Sequence, residues 1–228
     1  MVAFSRIMIA ILPLLALTAA SPATFPRPQR PIASIVSDQW SDESRRDSAR
    51  EAEQVMVFLG VRPGMMIADI GAGLGYYTVR LAPRVAPGGR VYSEDIVGSY
   101  VSRLRVRVKS AKLTNVVVVK GRADDPRLPP ASLDVALMVH MYHEISQPFA
   151  LLWHLRDTLR PGGKIAIVDV DRPTADHGTP RALLACELAA VGYKRVGDLD
   201  LGAADGYLAL FEPSGPRPAP NQIKPCRA

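Results

Sequence analysis

Two cysteines, Cys186 and Cys226, are all that this chain contains. They are too few for a disulfide scaffold and lack the spacing of a metal site. In an oxidising compartment they would pair and pin the tail; otherwise they are two lone thiols. Aromatic residues make up only 6% of the 228 positions, which leaves little for stacking on nucleobases. Neither sign of charge dominates. The formal +6 comes from 28 basic residues mixed with 22 acidic ones, a solubilising surface rather than the footprint of a nucleic-acid partner. Beyond residue 20 no apolar run is long enough to span a bilayer. What the chain has in quantity is apolar content, 48%, ample for the core of one domain with appendages.

At the N-terminus, Arg6 precedes an apolar stretch from Ile7 to Ala20, followed by small residues, with Thr18-Ala19-Ala20 or Ser21-Pro22-Ala23 as cleavage sites. This reads as a signal peptide over residues 1–23, and so as an exported or periplasmic protein. About fourteen apolar residues are too few to cross a bilayer comfortably. An uncleaved, membrane-anchored form is the alternative, and the one route to a membrane. Pro26, Pro28 and Pro31 mark residues 24–39 as an extended linker, and Pro216, Pro218, Pro220 and Pro225 mark residues 214–228 as a similar tail. The folded unit is expected between them, over residues 40–213.

Within that unit strands and helices alternate. Ser41-Asp42-Glu43-Ser44 resembles a helix start, and Ala52, Val55, Met56 and Leu59 follow at helical spacing until Gly60. One helix should therefore precede a first strand at Met65 to Ile70. A helix to about Arg84 and a Pro87-Gly88-Gly89 turn lead to strand two, Arg90 to Asp95, and strand three is Asn115 to Lys120. Arg103 to Lys109 alternates with period two, which taken alone favours a strand. Its place as a crossover between parallel strands favours a helix instead, with Val101, Leu104, Val108 and Ala111 inward and Arg105, Arg107, Lys109 and Lys112 on a solvated face. Strand four runs from Leu133 to about His140, a helix from Pro148 to Leu159, strand five from Lys164 to Val170 after a Pro161-Gly162-Gly163 turn, and a helix from Pro180 to Val191. Strands at about Tyr193 to Asp198 and Tyr207 to Glu212 close the chain as a hairpin. The pattern is that of an α/β, doubly wound sheet in a single domain.

The chemistry concentrates at the end of strand one. Asp69 closes an apolar strand and runs into Gly71, Gly73 and Gly75. Open α/β folds bind ligands at this edge, and the glycines let the backbone turn tightly and approach a ligand without Cβ obstruction. The N–H groups of the helix that follows favour a carboxylate or ribose oxygens, while Asp69 offers negative charge to an ammonium. A dinucleotide fingerprint, G-x-G-x-x-G/A, needs a small third residue, and Tyr76 stands there. The spacing D-x-G-x-G-x-G favours S-adenosylmethionine over a nicotinamide or flavin dinucleotide.

Val61-Arg62-Pro63-Gly64 leads into this motif, Gly89-Arg90-Val91-Tyr92-Ser93-Glu94-Asp95 follows it, and Leu159-Arg160-Pro161-Gly162-Gly163-Lys164 comes later in the same order. Through these stretches together the chain resembles class I S-adenosylmethionine-dependent methyltransferases, as a secreted or membrane-anchored bacterial-type member, over roughly Trp40 to Pro213. The resemblance implies a mostly parallel seven-stranded sheet of order 3-2-1-4-5-7-6 with strand seven antiparallel. It implies S-adenosylmethionine as cofactor, bound by Asp69, Gly71, Ala72, Gly73 and Gly75. The acid ending strand two, Asp95 or else Glu94, would accept the ribose hydroxyls, and Asp124, or else Asp125, would receive the adenine amine, unless either merely caps a turn.

After strand four, His140 and Tyr142 are expected to face the substrate. His143 either serves as base for an acceptor that must lose a proton or is a buried histidine capping the next helix. No metal is expected from His140, His143 and Glu144, because no H-E-x-x-H pattern and no third distant ligand stand out. The acceptor, by elimination, is a small molecule rather than nucleic acid. An exported location sits uneasily with a donor made in the cytosol. This keeps two alternatives open, a non-catalytic protein that binds an adenosyl compound and a nicotinamide oxidoreductase.

Overall fold

The computed structural model describes residues 24–36, 42–202 and 206–227; the expected signal peptide and Trp40 lie outside them. Seven strands form one sheet: β1 (Met66–Ile70), β2 (Arg90–Asp95), β3 (Val116–Lys120), β4 (Leu133–Val139), β5 (Leu159–Asp169), β6 (Tyr193–Gly202) and β7 (Gly206–Pro213). Their order is β3-β2-β1-β4-β5-β7-β6, with β7 antiparallel to both of its neighbours and the remaining pairings parallel. The order reverses between β1 and β4, so the crevice outside their carboxyl ends is where such a sheet takes a ligand.

Helices α1 (Glu43–Ser48), α2 (Glu51–Phe58), α3 (Tyr76–Val85), α4 (Gly98–Ser110), α5 (Pro148–Thr158) and α6 (Arg181–Ala190) connect or precede the strands. Ile67, Leu137 and Val168 pack with Val55 and Leu81 of α2 and α3. Ala136 and Ile167 pack with Phe149, Leu152 and Leu184 of α5 and α6. Alternate residues of one strand thus feed two cores, because successive side chains point to opposite faces. Fully buried side chains such as Phe149 and Phe211 contribute roughly 1.5–3 kcal/mol each.

The crossover after β2 is helical as expected, with Val101, Leu104 and Val108 buried, but Ala111 is its exposed C-cap. Arg107 leaves the solvated face: it bonds Glu43 and, at 3.0 Å, the Leu74 carbonyl. The single helix expected ahead of β1 is two. The chain breaks at Arg50, which adopts the left-handed φ of 55°, and the break turns the Glu51 carboxylate inward. There Arg46, Tyr77 and His140 share it. The Pro161-Gly162-Gly163 turn is a bulge inside β5: Leu159 pairs with Leu133 and Lys164 with Val135, so four β5 residues lie opposite one of β4.

The proline-rich ends carry no long element, yet the described parts lie against the domain. Arg30 is buried on Glu187, Phe25 meets Trp153 edge to face, and Trp153 donates to the Pro218 carbonyl at 3.0 Å. Gln29 and Arg227 form a parallel bridge. Cys186 on α6 and Cys226 are joined in a disulfide across 40 residues of sequence. Closing a loop of that length restrains the unfolded chain by roughly 2–4 kcal/mol. The double variant Cys186→Ser/Cys226→Ser should lose that amount in urea unfolding; a loss below about 1 kcal/mol would show that the bond does little to hold the tail.

Candidate active site

The loop from β1 to α3 is shaped by close approaches. A Cβ on Gly71 (φ +64°) would lie 2.7 Å from Cε of Met141, and one on Gly75 (φ +85°) 2.5 Å from Cδ1 of Leu104; those side-chain ends could shift aside, so it is the left-handed backbone angle at both positions that favours glycine. Carboxylates surround this loop. Asp69 accepts a 2.6 Å bond from the Thr78 hydroxyl. Asp95 accepts from the N–H groups of Gly73 (2.8 Å) and Val97 (2.7 Å), tying the glycine loop to the turn after β2. Glu94 accepts from the Gly71 N–H through Oε2 at 3.4 Å, while its buried Oε1 meets no hydrogen-bond partner among the described residues. Burial raises all three: Asp69 to about 6, Glu94, which also feels Asp95, to about 8, and Asp95 above its ordinary range. Burial likewise lifts Glu144 to about 7.

Two cavities open at this edge. One, of about 380 Å³, is lined by Asp69, Ala72, Gly73, Arg46, His140 and His143 among others. The second, of about 340 Å³, is lined by Ile32 to Ile35, Glu94, Asp95, Val97, Arg122 and Ala123 among others. Gly71, Met141 and Glu144 belong to both walls, so the two are lobes of one crevice. Each is within the roughly 300–1,000 Å³ of small-molecule sites.

Asp69, Gly71, Ala72 and Gly73 meet in the first lobe and Asp95 in the second. Gly75 lines neither; it caps α3 in the left-handed region and acts on the loop's shape. Asp124 also lines neither. Reciprocal backbone bonds between Arg122 and Asp125 close a tight turn, and Asp124 at its tip pairs with Arg122 at 3.1 Å. Asp125 caps the same turn through the Arg127 N–H. Arg122 and Ala123 are what this loop offers the second lobe.

Past β4, His140 (φ +51°) turns into the first lobe and meets Glu51 at 3.3 Å. Burial would raise Glu51, but the bonds from His140 and Arg46 outweigh it and hold the carboxyl at about 2. Tyr142 does not face substrate. The 3-10 turn Tyr142–Glu144 places it inward, fully buried, with its hydroxyl donating to Glu187 at 2.8 Å and Arg30 over its ring. His143 does reach the first lobe. Its Nδ1 bonds both oxygens of Asp169, at 3.0 and 3.1 Å, and its ring meets that of His177 edge to face, centroids 5.4 Å apart.

Four further contributors are Asp169, His177, Arg46 and the strap of residues 32–35. Asp169 had a legible signal, an acid closing an apolar strand as Asp69 does. Arg46 and His177 stand in polar stretches, at the start of the first helix and after strand five, whose place near the carboxyl edge lets them fold over the acceptor site without fixing a role for either; the strap has no such signal.

Residues 67–163 match the model of a methyltransferase domain. Around that domain the chain is 33% identical, over 186 residues, to an S-adenosyl-L-methionine-dependent Diels-Alderase of Talaromyces variabilis, covering 77% of this chain and 61% of that protein. Over 122 residues it is 25% identical to a demethylmenaquinone methyltransferase of Geobacillus sp. (strain WCH70), covering 54% and 52%. The chain thus spans between half and two thirds of the length of these curated relatives. A crystal structure of a SAM-dependent methyltransferase from Aquifex aeolicus shares the fold, with a TM-score of 0.65 at 24% identity over 75% of this chain and 96% of that one.

The cofactor of methyltransferase domains with this fold is S-adenosylmethionine, and the crevice fits it. The apolar second lobe, with Asp95 at its edge, suits an adenosyl group, and the first, with Asp69 and Arg46, suits an amino-acid zwitterion. Replacing Asp95 by Ala removes the carboxylate at the edge of the second lobe and its tie to Gly73. Donor affinity should fall by roughly 1–3 kcal/mol; unchanged affinity in calorimetry would show that this carboxylate does not touch the donor.

Proposed function

We propose that this chain is an S-adenosylmethionine-dependent methyltransferase of a small-molecule acceptor. The observation that carries the reading is the gathering of Asp69, Glu94 and Asp95 at one sheet edge, buried and raised in pKa. Such a site favours a ligand that brings positive charge, and the spacing of its two lobes divides that ligand into adenosyl and amino-acid halves. Bound there, the cofactor supplies an electrophilic methyl group.

The residues do the rest by placement. Asp69 takes the ammonium, Asp95 the ribose hydroxyls, and Met141 and Glu144 wall the junction where the two halves join. The acceptor enters beside His140 and His143. With Nδ1 held by Asp169, His143 keeps Nε2 for the acceptor's O–H or N–H and receives its proton. In-line approach and exclusion of water supply much of the acceleration. The disulfide supports an exported location, since such bonds persist in oxidising compartments, and accords with the signal-peptide reading of residues 1–23. Among the described residues no helix is long and apolar enough to cross a membrane.

A second reading follows from the Talaromyces variabilis relative: the donor is bound but no methyl group moves, as in a cycloaddition catalyst. Titration of the purified chain with S-adenosylmethionine and its demethylated product, then incubation of labelled donor with small phenols, quinols and amines, separates the two. Binding with label transferred supports the methyltransferase, and binding without transfer to any acceptor supports the second reading. Absence of binding to either nucleoside overturns both.

A further inference from the structure

The acceptor side holds a group of residues with another capacity. Nitrogens of His143 and His177 and a carboxylate oxygen of Glu144 lie within 4.8 Å of one another, and all three residues line the first lobe. The sequence hides this, because His177 stands 34 positions beyond His143 on the loop after β5. We propose that His143, Glu144 and His177 bind a divalent transition-metal cation of the zinc class, with its open position facing the acceptor. The proposal rests on the acceptor lobe described above and replaces direct contact between His143 and the acceptor by contact through the cation.

Three features support it. A tetrahedral ion with bonds of about 2.1 Å separates its ligands by roughly 3.4 Å, so the group needs to contract by no more than roughly 1.4 Å. Two of the ligands sit on a short turn and the third on a loop, elements that allow this. Outer contacts already orient the ligands. Asp169 occupies Nδ1 of His143, which leaves Nε2 for the ion, and the Val36 N–H donates to Oε1 of Glu144 at 3.1 Å. A carboxylate behind a ligating imidazole is the usual support of such sites. His177, at the left-handed φ of 58°, is held in that conformation by Arg172, which donates to its carbonyl at 3.0 and 3.2 Å. Two imidazoles and one carboxylate suit zinc-class ions, whereas magnesium and calcium prefer oxygen ligands. Three protein ligands with one open position are the pattern of metal sites that act on a substrate.

The untagged chain, stripped with chelator, is titrated with Zn²⁺ by calorimetry and with Co²⁺ by visible absorption, with Mg²⁺ as competitor. The expected result is one equivalent bound, not displaced by Mg²⁺, and weakened at least tenfold in His177→Ala and in Glu144→Gln. Asp169→Asn, which alters the support of His143 and also touches the bonds that Thr179 and Val170 donate to the same carboxylate, should weaken it roughly 10–100-fold. Thermal unfolding and S-adenosylmethionine titration of His177→Ala show that the variant is folded and keep the donor site separate from the cation site. No stoichiometric binding, equal competition by Mg²⁺, or affinity unaffected by a folded His177→Ala overturns the cation site. Methyl transfer by such a metal-free chain would leave the methyltransferase reading standing with His143 as direct base.

Discussion

Arg30→Leu is expected to destabilise the chain by roughly 3–5 kcal/mol, the cost of leaving a buried charge without its partner. Both side chains of the Arg30–Glu187 pair are fully buried. Arg30 also donates to the carbonyls of Tyr142 and His143 at 3.3 Å, and Glu187 also accepts from the Tyr142 hydroxyl. The loss therefore reaches the turn that carries His143. Replacing both charges, Arg30→Leu with Glu187→Met, removes the unpaired carboxylate and should recover all but the cost of the orphaned Tyr142 hydroxyl, roughly 1–3 kcal/mol. Urea unfolding measures both. If the single variant loses less than about 1 kcal/mol, the strap is an appendage and its share in the second lobe is incidental.

Glu94 should make the ligand-free protein less stable as the pH rises. Its ordinary pKa of 4.5 is raised to about 8 by burial and by Asp95. The folded chain therefore keeps a proton that the unfolded chain releases near 4.5. The stabilisation is complete below that value, declines as pH rises from about 4.5 to 8, and is gone above it, a change on the order of 3–5 kcal/mol. Asp69, raised to about 6, adds a slope of the same sign at the acid end of that window. Unfolding midpoints at several pH values should fall on this curve, and Glu94→Gln should flatten it. A cationic donor bound beside the glycine loop stabilises the ionised carboxylate, so donor binding near pH 7 should release protons. Calorimetry in buffers of different ionisation enthalpy reads that release directly. An unchanged slope in Glu94→Gln would mean that this carboxylate is already ionised.

Where the sequence was read rightly, the signals were local. The strand β2 and the crossover α4 follow from apolar periodicity and from the need to join parallel strands. Asp69 and Asp95 stand at strand ends that any such sheet presents to its crevice. The misreadings have physical causes. Tyr142 lies one residue from His143, but a 3-10 turn sends adjacent side chains in different directions, and Glu187 offers the phenol a partner inside. Asp124 belongs to an acidic stretch whose tight turn aims it at Arg122. The helix ahead of β1 breaks because Glu51 has partners on three other segments, which no periodicity within the helix reports.

The amino-acid order alone determined the alternation of strands and helices, the glycine bend after Asp69 and the carboxylate at the end of β2, since each depends on neighbours a few positions away. Only the tertiary structure decided which distant side chains share a cavity. Asp169 behind His143, His177 beside Glu144 and the strap over the second lobe are long-range contacts selected by packing, and packing depends on the whole chain at once.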